Sequence, residues 1–145
     1  MGRETLTNDL ALTVRAEVAH ANGDLEQAVD LLSRMRMSTW YQLTAVSAFL
    51  SQAYGRFLRA ELLRELGRYS DALTWYSSFE HVSPYDLIYL GPSLRGRGMA
   101  MEELGQLDQA ADYYARFLDL WKECDRELQP DRADVEDRLA RLKAD

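Results

Sequence analysis

A glycine-anchored pattern recurs three times along the chain. From Glu65 to Phe79 the sequence reads Glu-Leu-Gly-Arg-Tyr-Ser-Asp-Ala-Leu-Thr-Trp-Tyr-Ser-Ser-Phe. Its skeleton is Gly67, Ala72, Tyr76 and Phe79: a glycine, a small residue five places on, then aromatics at nine and twelve. The same skeleton stands at Gly105, Ala110, Tyr114 and Phe117, and with aliphatics replacing the aromatics at Gly23, Ala28, Leu32 and Met35. Each glycine follows an apolar-periodic run and suits the left-handed conformation that closes a helix. A second run begins about two residues later, at Leu25, Tyr69 and Leu107, and steps of three or four put its apolar residues on one helical face. Seven residues before each glycine stand Ala16, Ala60 and Gly98; four before stand Ala19, Leu63 and Met101. A small residue on each helix at matching heights lets two antiparallel helices approach closely. The pattern predicts an all-α chain of repeated helical hairpins.

This register of small residue, turn glycine, small residue and large residue resembles the tetratricopeptide repeat, and the likeness spans roughly Asp9 to Phe117. It implies a right-handed superhelix of antiparallel helix pairs, about three repeats long, with a C-terminal capping helix. The chain departs from the family in several ways. Its turn glycines stand further apart than the roughly 34 residues of the family period. Arg15, Arg59 and Arg97 occupy a site the family often fills with leucine, and no aromatic stands four residues before the glycines. A closing proline is missing after Met35 and Phe117. The expected layout is one domain over residues 1–145, with repeats near 4–37, 47–82 and 91–126 and a cap near 131–144. A narrower likeness covers the second half. Ser83-Pro84-Tyr85-Asp86-Leu87-Ile88-Tyr89-Leu90, Phe117-Leu118-Asp119-Leu120-Trp121-Lys122 and Glu127-Leu128-Gln129-Pro130 resemble repeat tails of bacterial multidomain signalling proteins. That likeness implies a sensory or docking module; no kinase or DNA-binding motif accompanies it.

Local signals give the expected boundaries. A first helix is expected over about Glu4 to Ala21, with Leu10, Val14, Val18 and Ala21 on its apolar side. Asp24 reads as the cap of a second helix reaching about Met37, with Gln27 completing a capping box. Ser38 to Val46 is an insertion carrying Trp40 and Tyr41, which read either as folding over the gap between repeats one and two or as an exposed anchor for a partner. Helices are expected over about Ser47 to Leu66 and Tyr69 to His81. Arg59 and its counterparts read as packed stems with heads paired to carboxylates. Pro84 ends the preceding helix or starts a short one, and Tyr85, Leu87 or Ile88, Tyr89 and Leu90 read as packing on the repeats. Pro92 is placed in the first turn of the next helix. Gly96 and Gly98 within that helix cost helical stability, and close packing is the simplest compensation. A long helix from Leu107 runs past Trp121, and a last one covers Asp134 to Lys143. Val135, Leu139 and Leu142 form its apolar side, with Asp134, Glu136, Asp137, Arg138 and Arg141 on a solvated back.

The composition narrows the function classes. A net charge of −7 and a pI near 4.9 oppose phosphate backbones, so no nucleic-acid partner is expected. No run of about 18 apolar residues is present, so no membrane span is expected. The N-terminus has no apolar signal region. Gly2 sets a myristoylation context, but Arg3, Glu4 and the lack of a second membrane signal oppose it. The single Cys124 excludes an internal disulfide and fits a reducing cytosol, so a cytoplasmic location is expected. His20, His81 and Cys124 form no set with metal-ligand spacing. Glu102 and Glu103 point to different sides of a helix and are no acid–base pair. No catalytic residue, cofactor or metal is expected.

What remains is surface. The family resemblance implies a concave side lined by the first helix of each pair. Carried over residue by residue, this places Leu10, Thr13, Glu17 and His20 on the groove from repeat one. Repeat two supplies Tyr54, Phe57, Glu61 and Arg64, and repeat three supplies Arg95, Met99 and Glu102. Tyr54 and Phe57 are open to a second reading as core. The lysine and asparagine clamp that the family uses for C-terminal carboxylates is absent. The expected function is a non-enzymatic interaction module whose candidate peptide-binding residues are Tyr54, Phe57, Glu61, Arg64, Arg95, Met99 and Glu102. The alternative is self-association into a homo-oligomer through the N-terminal end.

Overall fold

The computed structural model describes residues 3–36, 45–80 and 83–144, and within them the chain is helical throughout, with no strand. Helix α1 spans Arg3–Ala21 and α2 spans Leu25–Ser33. A short α3 (Ala48–Ser51) leads into α4 (Ala53–Glu65), and α5 (Tyr69–Tyr76) runs on into a 3-10 turn at Ser77–Phe79. Helix α6 covers Leu87–Glu103 and α7 covers Leu107–Leu120. A 3-10 turn at Arg126–Leu128 precedes α8, Gln129–Leu142. The pairs α1/α2, α4/α5 and α6/α7 pack as antiparallel hairpins, and each second helix lies against the next first helix. Helix α8 closes the array on α7.

The turn glycines act as the pattern requires. Gly23, Gly67 and Gly105 have φ of 81°, 72° and 72°, where a Cβ is disfavoured. The small residues meet between the helices: Ala16, Ala28, Ala60, Ala72 and Ala110 are fully buried. One core runs through repeats one and two, from Leu12 and Leu32 to Leu62 and Tyr76. A second gathers Leu94, Tyr114, Phe117, Val135 and Leu139. Gly96 and Gly98 provide close approach: an added Cβ would lie 2.3 Å from the ring of Tyr76 or of Tyr114, respectively. The joint between repeats two and three is sealed by polar groups. Arg56 pairs with Asp86 and donates to the Ser78 carbonyl, and Arg97 pairs with Glu80.

Several expectations need correction. Val14 and Val18 lie outside the core; α1 instead buries Leu12, Ala16 and Ala19 together with Asp9 and Thr13. The Asp9 carboxylate repays its burial by accepting the Arg36 amide at 3.1 Å. The helix expected from Ser47 is broken at Gln52, whose φ of 49° is left-handed. Helix α6 begins at Leu87, so Pro92 is interior and has no N–H for the Ile88 carbonyl one turn earlier. Leu87 and Ile88 are exposed, while Tyr85, Tyr89 and Leu90 are half-buried. The last helix starts five residues early, with Pro130 in its first turn. Asp24 does cap α2, accepting the Gln27 amide at 3.1 Å. Among the described residues, Arg97 alone of the repeated arginines meets a carboxylate; Arg59 donates to the Leu32 carbonyl and lies 4.2 Å over the Trp75 ring, and Arg15 is exposed. Trp40, Tyr41 and His81 lie outside the described residues.

Candidate functional site

The first helices present a row of aromatic and charged side chains on one side of the array. On α4, Tyr54, Phe57, Glu61 and Arg64 follow at steps of three or four, so they share a face. Phe57 is half-buried and packs against Tyr89, Phe79 and Tyr76, with ring centroids 5.0, 6.2 and 6.3 Å away. Tyr54 is 43% exposed and donates its hydroxyl to Glu17 of α1 at 2.7 Å. The two readings of these residues thus merge: Phe57 is a core member with one face open, and Tyr54 is surface.

Polar groups beside Phe57 hold one another in place. The Tyr76 hydroxyl donates to Glu61, and Arg64 donates to Glu61 at 2.8 Å and to the Tyr76 oxygen at 3.3 Å. Burial pushes the Tyr76 phenol far up, and the neighbouring Glu61 carboxylate pushes it further. Burial works against the Arg64 charge, but Glu61 and Tyr76 more than restore it. On α6, Arg95 reaches Asp131 at 3.2 Å and Asp134 at 3.1 Å, both on α8. Arg138 of α8 bridges Asp134, at 3.2 Å, and Glu102, at 3.0 Å. Glu102 in turn accepts the Tyr114 hydroxyl at 2.6 Å. Partial burial raises the Asp134 carboxyl, but Arg95 and Arg138 together hold it below its ordinary value.

Between these networks lies a cleft of about 100 Å³. Its walls include Phe57, Glu61, Arg64, Arg95 and Met99, with Pro92, Gly96, Phe117, Trp121 and Asp131 completing it. Five of the seven sequence-predicted residues therefore meet in one place. Tyr54 stands to one side with Glu17, and Glu102 lies toward the far end under Arg138. Of the repeat-one residues, Thr13 is a correction: it is buried, donating to the Asp9 carbonyl at 3.1 Å. His20 is half-exposed beside Glu65 at 3.3 Å, and Leu10 is half-buried. Sequence reasoning missed the contribution of α8. Asp134 and Arg138 read as part of a solvated back; both turn to α6 instead. No local signal marked them, because an Asp–Arg pair at i, i+4 also reads as a solvated pair on one helix.

The cleft can accept an apolar side chain against Phe57 and Met99, inside a rim of fixed charges. A wider depression of about 420 Å³ lies on α2, α4 and α5, over Val29, Arg59, Leu63 and Trp75. There the Arg59 head covers the Trp75 ring, so the apolar surface is already in use. Among the described residues, no three His, Cys, Asp or Glu side chains converge to hold a metal ion. No helix among them is long and apolar enough to cross a membrane.

Comparison with known proteins gives matching results along the chain. One tetratricopeptide repeat (TPR) family model matches residues 10–34 and 53–77, and another matches residues 93–122. Two solved structures are similar over almost the full length. One is the NMR structure of the first TPR domain of the human RPAP3 protein, with TM-score 0.58 and 16% identity, covering 96% of this chain and 98% of that one. The other is the first TPR of Spaghetti (RPAP3) bound to the HSP90 peptide SRMEEVD. It has TM-score 0.60 and 16% identity, covering 92% of this chain and 97% of that one. At this identity the likeness speaks to the fold. A search of curated proteins gives no match.

Proposed function

Because the chain belongs to the tetratricopeptide repeat family, we propose that it is a non-enzymatic interaction module that binds a peptide or protein segment along the first-helix side of the array. One observation carries this reading: Phe57, Glu61, Arg64, Arg95 and Met99 converge on a single cleft with an apolar floor and a rim of fixed charges. Such a site recognises one large apolar side chain and orients the flanking backbone with polar groups. Its carboxylates are engaged by tyrosine or arginine, so none is poised as a free base.

The state of the arginines narrows the ligand. The Spaghetti domain is bound to an acidic peptide, SRMEEVD. Here Arg64 is held by Glu61, and Arg95 by Asp131 and Asp134. An incoming carboxylate would have to displace an internal one, which offsets most of what it gains. The preferred segment is therefore apolar at its anchor and not acidic beside it. The narrower resemblance of the second half extends the proposal to a sensory or docking role in the cytoplasm beside other domains of a bacterial signalling protein.

Selection from a random linear peptide library tests the reading. Selected peptides should share one aromatic or large aliphatic anchor. They should lose about tenfold or more in affinity to Phe57→Glu and to Met99→Arg variants that keep their helicity. Selected peptides that bind both variants as tightly as the wild type would place binding elsewhere.

A further inference from the structure

The first helix carries a face that its counterparts bury. With each first helix registered on its turn glycine, the residue nine places before it is Val14 in α1, Leu58 in α4 and Gly96 in α6. Five places before it stand Val18, Leu62 and Ala100. In α4 and α6 all four of these residues are buried, but Val14 and Val18 are 65% and 56% exposed. Arg15 shares the pattern. Its counterpart Arg59 donates to the Leu32 carbonyl of the preceding hairpin, and Arg97 pairs with Glu80 just past α5. Arg15 is exposed, with no hydrogen-bond partner among the described residues. Two first helices thus use these positions to receive the second helix of the hairpin before them, and α1 leaves them open. A shallow depression of about 350 Å³, lined by Val14, Arg15, Val18, Asn22, Gln27 and Leu31 among others, lies there.

We propose that the Val14–Arg15–Val18 face is a second docking site, separate from the cleft, which takes an amphipathic α-helix of a partner protein in the place that α2 holds on α4. The repeat-to-repeat interface continues outward through it, and the chemistry of the two filled interfaces specifies the occupant. Where the position nine before the glycine is Gly96, the side chain that abuts it is Tyr76. Where that position is Leu58, the matching residue in the preceding second helix is Leu32, in the same core. Val14 is aliphatic, so the partner helix carries a leucine-sized residue opposite it. Arg15 requires an acceptor near that helix's C-terminus: a free carbonyl, as Leu32 supplies, or a carboxylate, as Glu80 supplies. In a folded second copy neither α2 nor the last helix offers such a face. Leu32 of its α2 is fully buried, and its last helix turns Glu136, Asp137 and Arg141 outward.

The test uses the full chain and a fluorescein-labelled synthetic peptide with the sequence of residues 24–36, a copy of α2 and its flanks. Anisotropy should show saturable binding. Val14→Glu, Val18→Glu and Arg15→Glu should each weaken it about tenfold or more, while Val18→Glu keeps its affinity for cleft-selected peptides. A peptide with the sequence of residues 68–80, which puts tyrosine where the leucine stood, should bind at least several-fold more weakly. The altered side chains are exposed, so the variants should fold, as far-UV circular dichroism will verify; Arg15→Glu also leaves the apolar face itself intact. No binding at millimolar peptide would overturn the proposal, as would binding indifferent to all three substitutions. So would a wild-type dimer in sedimentation equilibrium that Val18→Glu dissociates, because the occupant would then be a second copy.

Discussion

A single methyl group at Gly96 probes the joint between repeats two and three. In Gly96→Ala the new Cβ would lie 2.3 Å from Cζ of Tyr76 and 2.5 Å from its hydroxyl oxygen. Carbon atoms in contact sit near 3.5–4.0 Å, so the ring or the helix must shift by about an ångström. The ring has little room: Tyr76 is fully buried, Phe57 stands beside it, and its hydroxyl is fixed on Glu61. Overpacking of this kind costs about 1–3 kcal/mol. Loosening a hydrogen bond to an ionised carboxylate adds roughly 1.5–3 kcal/mol. Alanine recovers about 1 kcal/mol through its better helix propensity. The net expectation is a loss of roughly 1.5–5 kcal/mol, read from urea unfolding followed by circular dichroism. Adding Tyr76→Leu to Gly96→Ala makes room for the methyl and copies the aliphatic pairing of Leu32 with Leu58. The double-mutant cycle should then show a favourable coupling of about 1–3 kcal/mol. A neutral or stabilising Gly96→Ala, or a cycle additive within about 0.5 kcal/mol, would refute the close-packing account.

Three further outcomes follow from the same geometry. Gly67→Ala meets no atom within 4 Å but keeps a φ of 72°, so it should cost only the left-handed backbone penalty of about 1–2 kcal/mol in the same unfolding assay. Arg95→Ala removes the pairs to Asp131 and Asp134; because these groups are part-exposed, the loss should stay near 1 kcal/mol, with faster amide exchange confined to residues 129–142. The pH limits carry opposite signs. The depressed Asp134 carboxyl stabilises fully above its ordinary 3.8 and stops doing so as pH falls through its lower folded value, so Trp121 fluorescence should report loosening of α8 only in strong acid. Tyr54, Tyr76 and Tyr114 are pushed well above their ordinary 10.0, by burial first and then by Glu17, Glu61 and Glu102. Stability should therefore fall as pH rises past 10, and absorbance at 295 nm should show the buried Tyr76 and Tyr114 ionising only with unfolding.

The hairpins were legible because their requirements are local and specific to residue type. A glycine at positive φ and an alanine between two backbones leave few alternatives, and Gly67, Ala60 and Ala72 stand where the spacing put them. Other features depend on contacts that no local window contains. On α1 two apolar stripes compete, and Leu12–Ala16–Ala19 is buried rather than Leu10–Val14–Val18, with Ala16 buried between the helices as Ala60 is in α4. Gln52 breaks a helix without glycine or proline to mark it. Pro92 resembles a helix start, yet the helix has already begun at Leu87. At the cleft, Phe57, Glu61 and Arg64 were readable from helical spacing and the family register. Asp131, and Asp134 behind it on Arg95, were not, because a charged helix face looks the same whether it meets water or another helix.

The pairing of glycine with tyrosine and of leucine with leucine also decides which rearrangements of the gene could survive. Tandem duplication of repeat two would set the Tyr76 of one copy against the Leu58 of the next, where no glycine makes room for a ring. Exchanging the order of repeats two and three would separate Tyr76 from Gly96 and Glu80 from Arg97 at once. An array whose seams differ in this way can lengthen only when the new unit arrives with its own matching edge, and at Val14 and Val18 that edge is aliphatic.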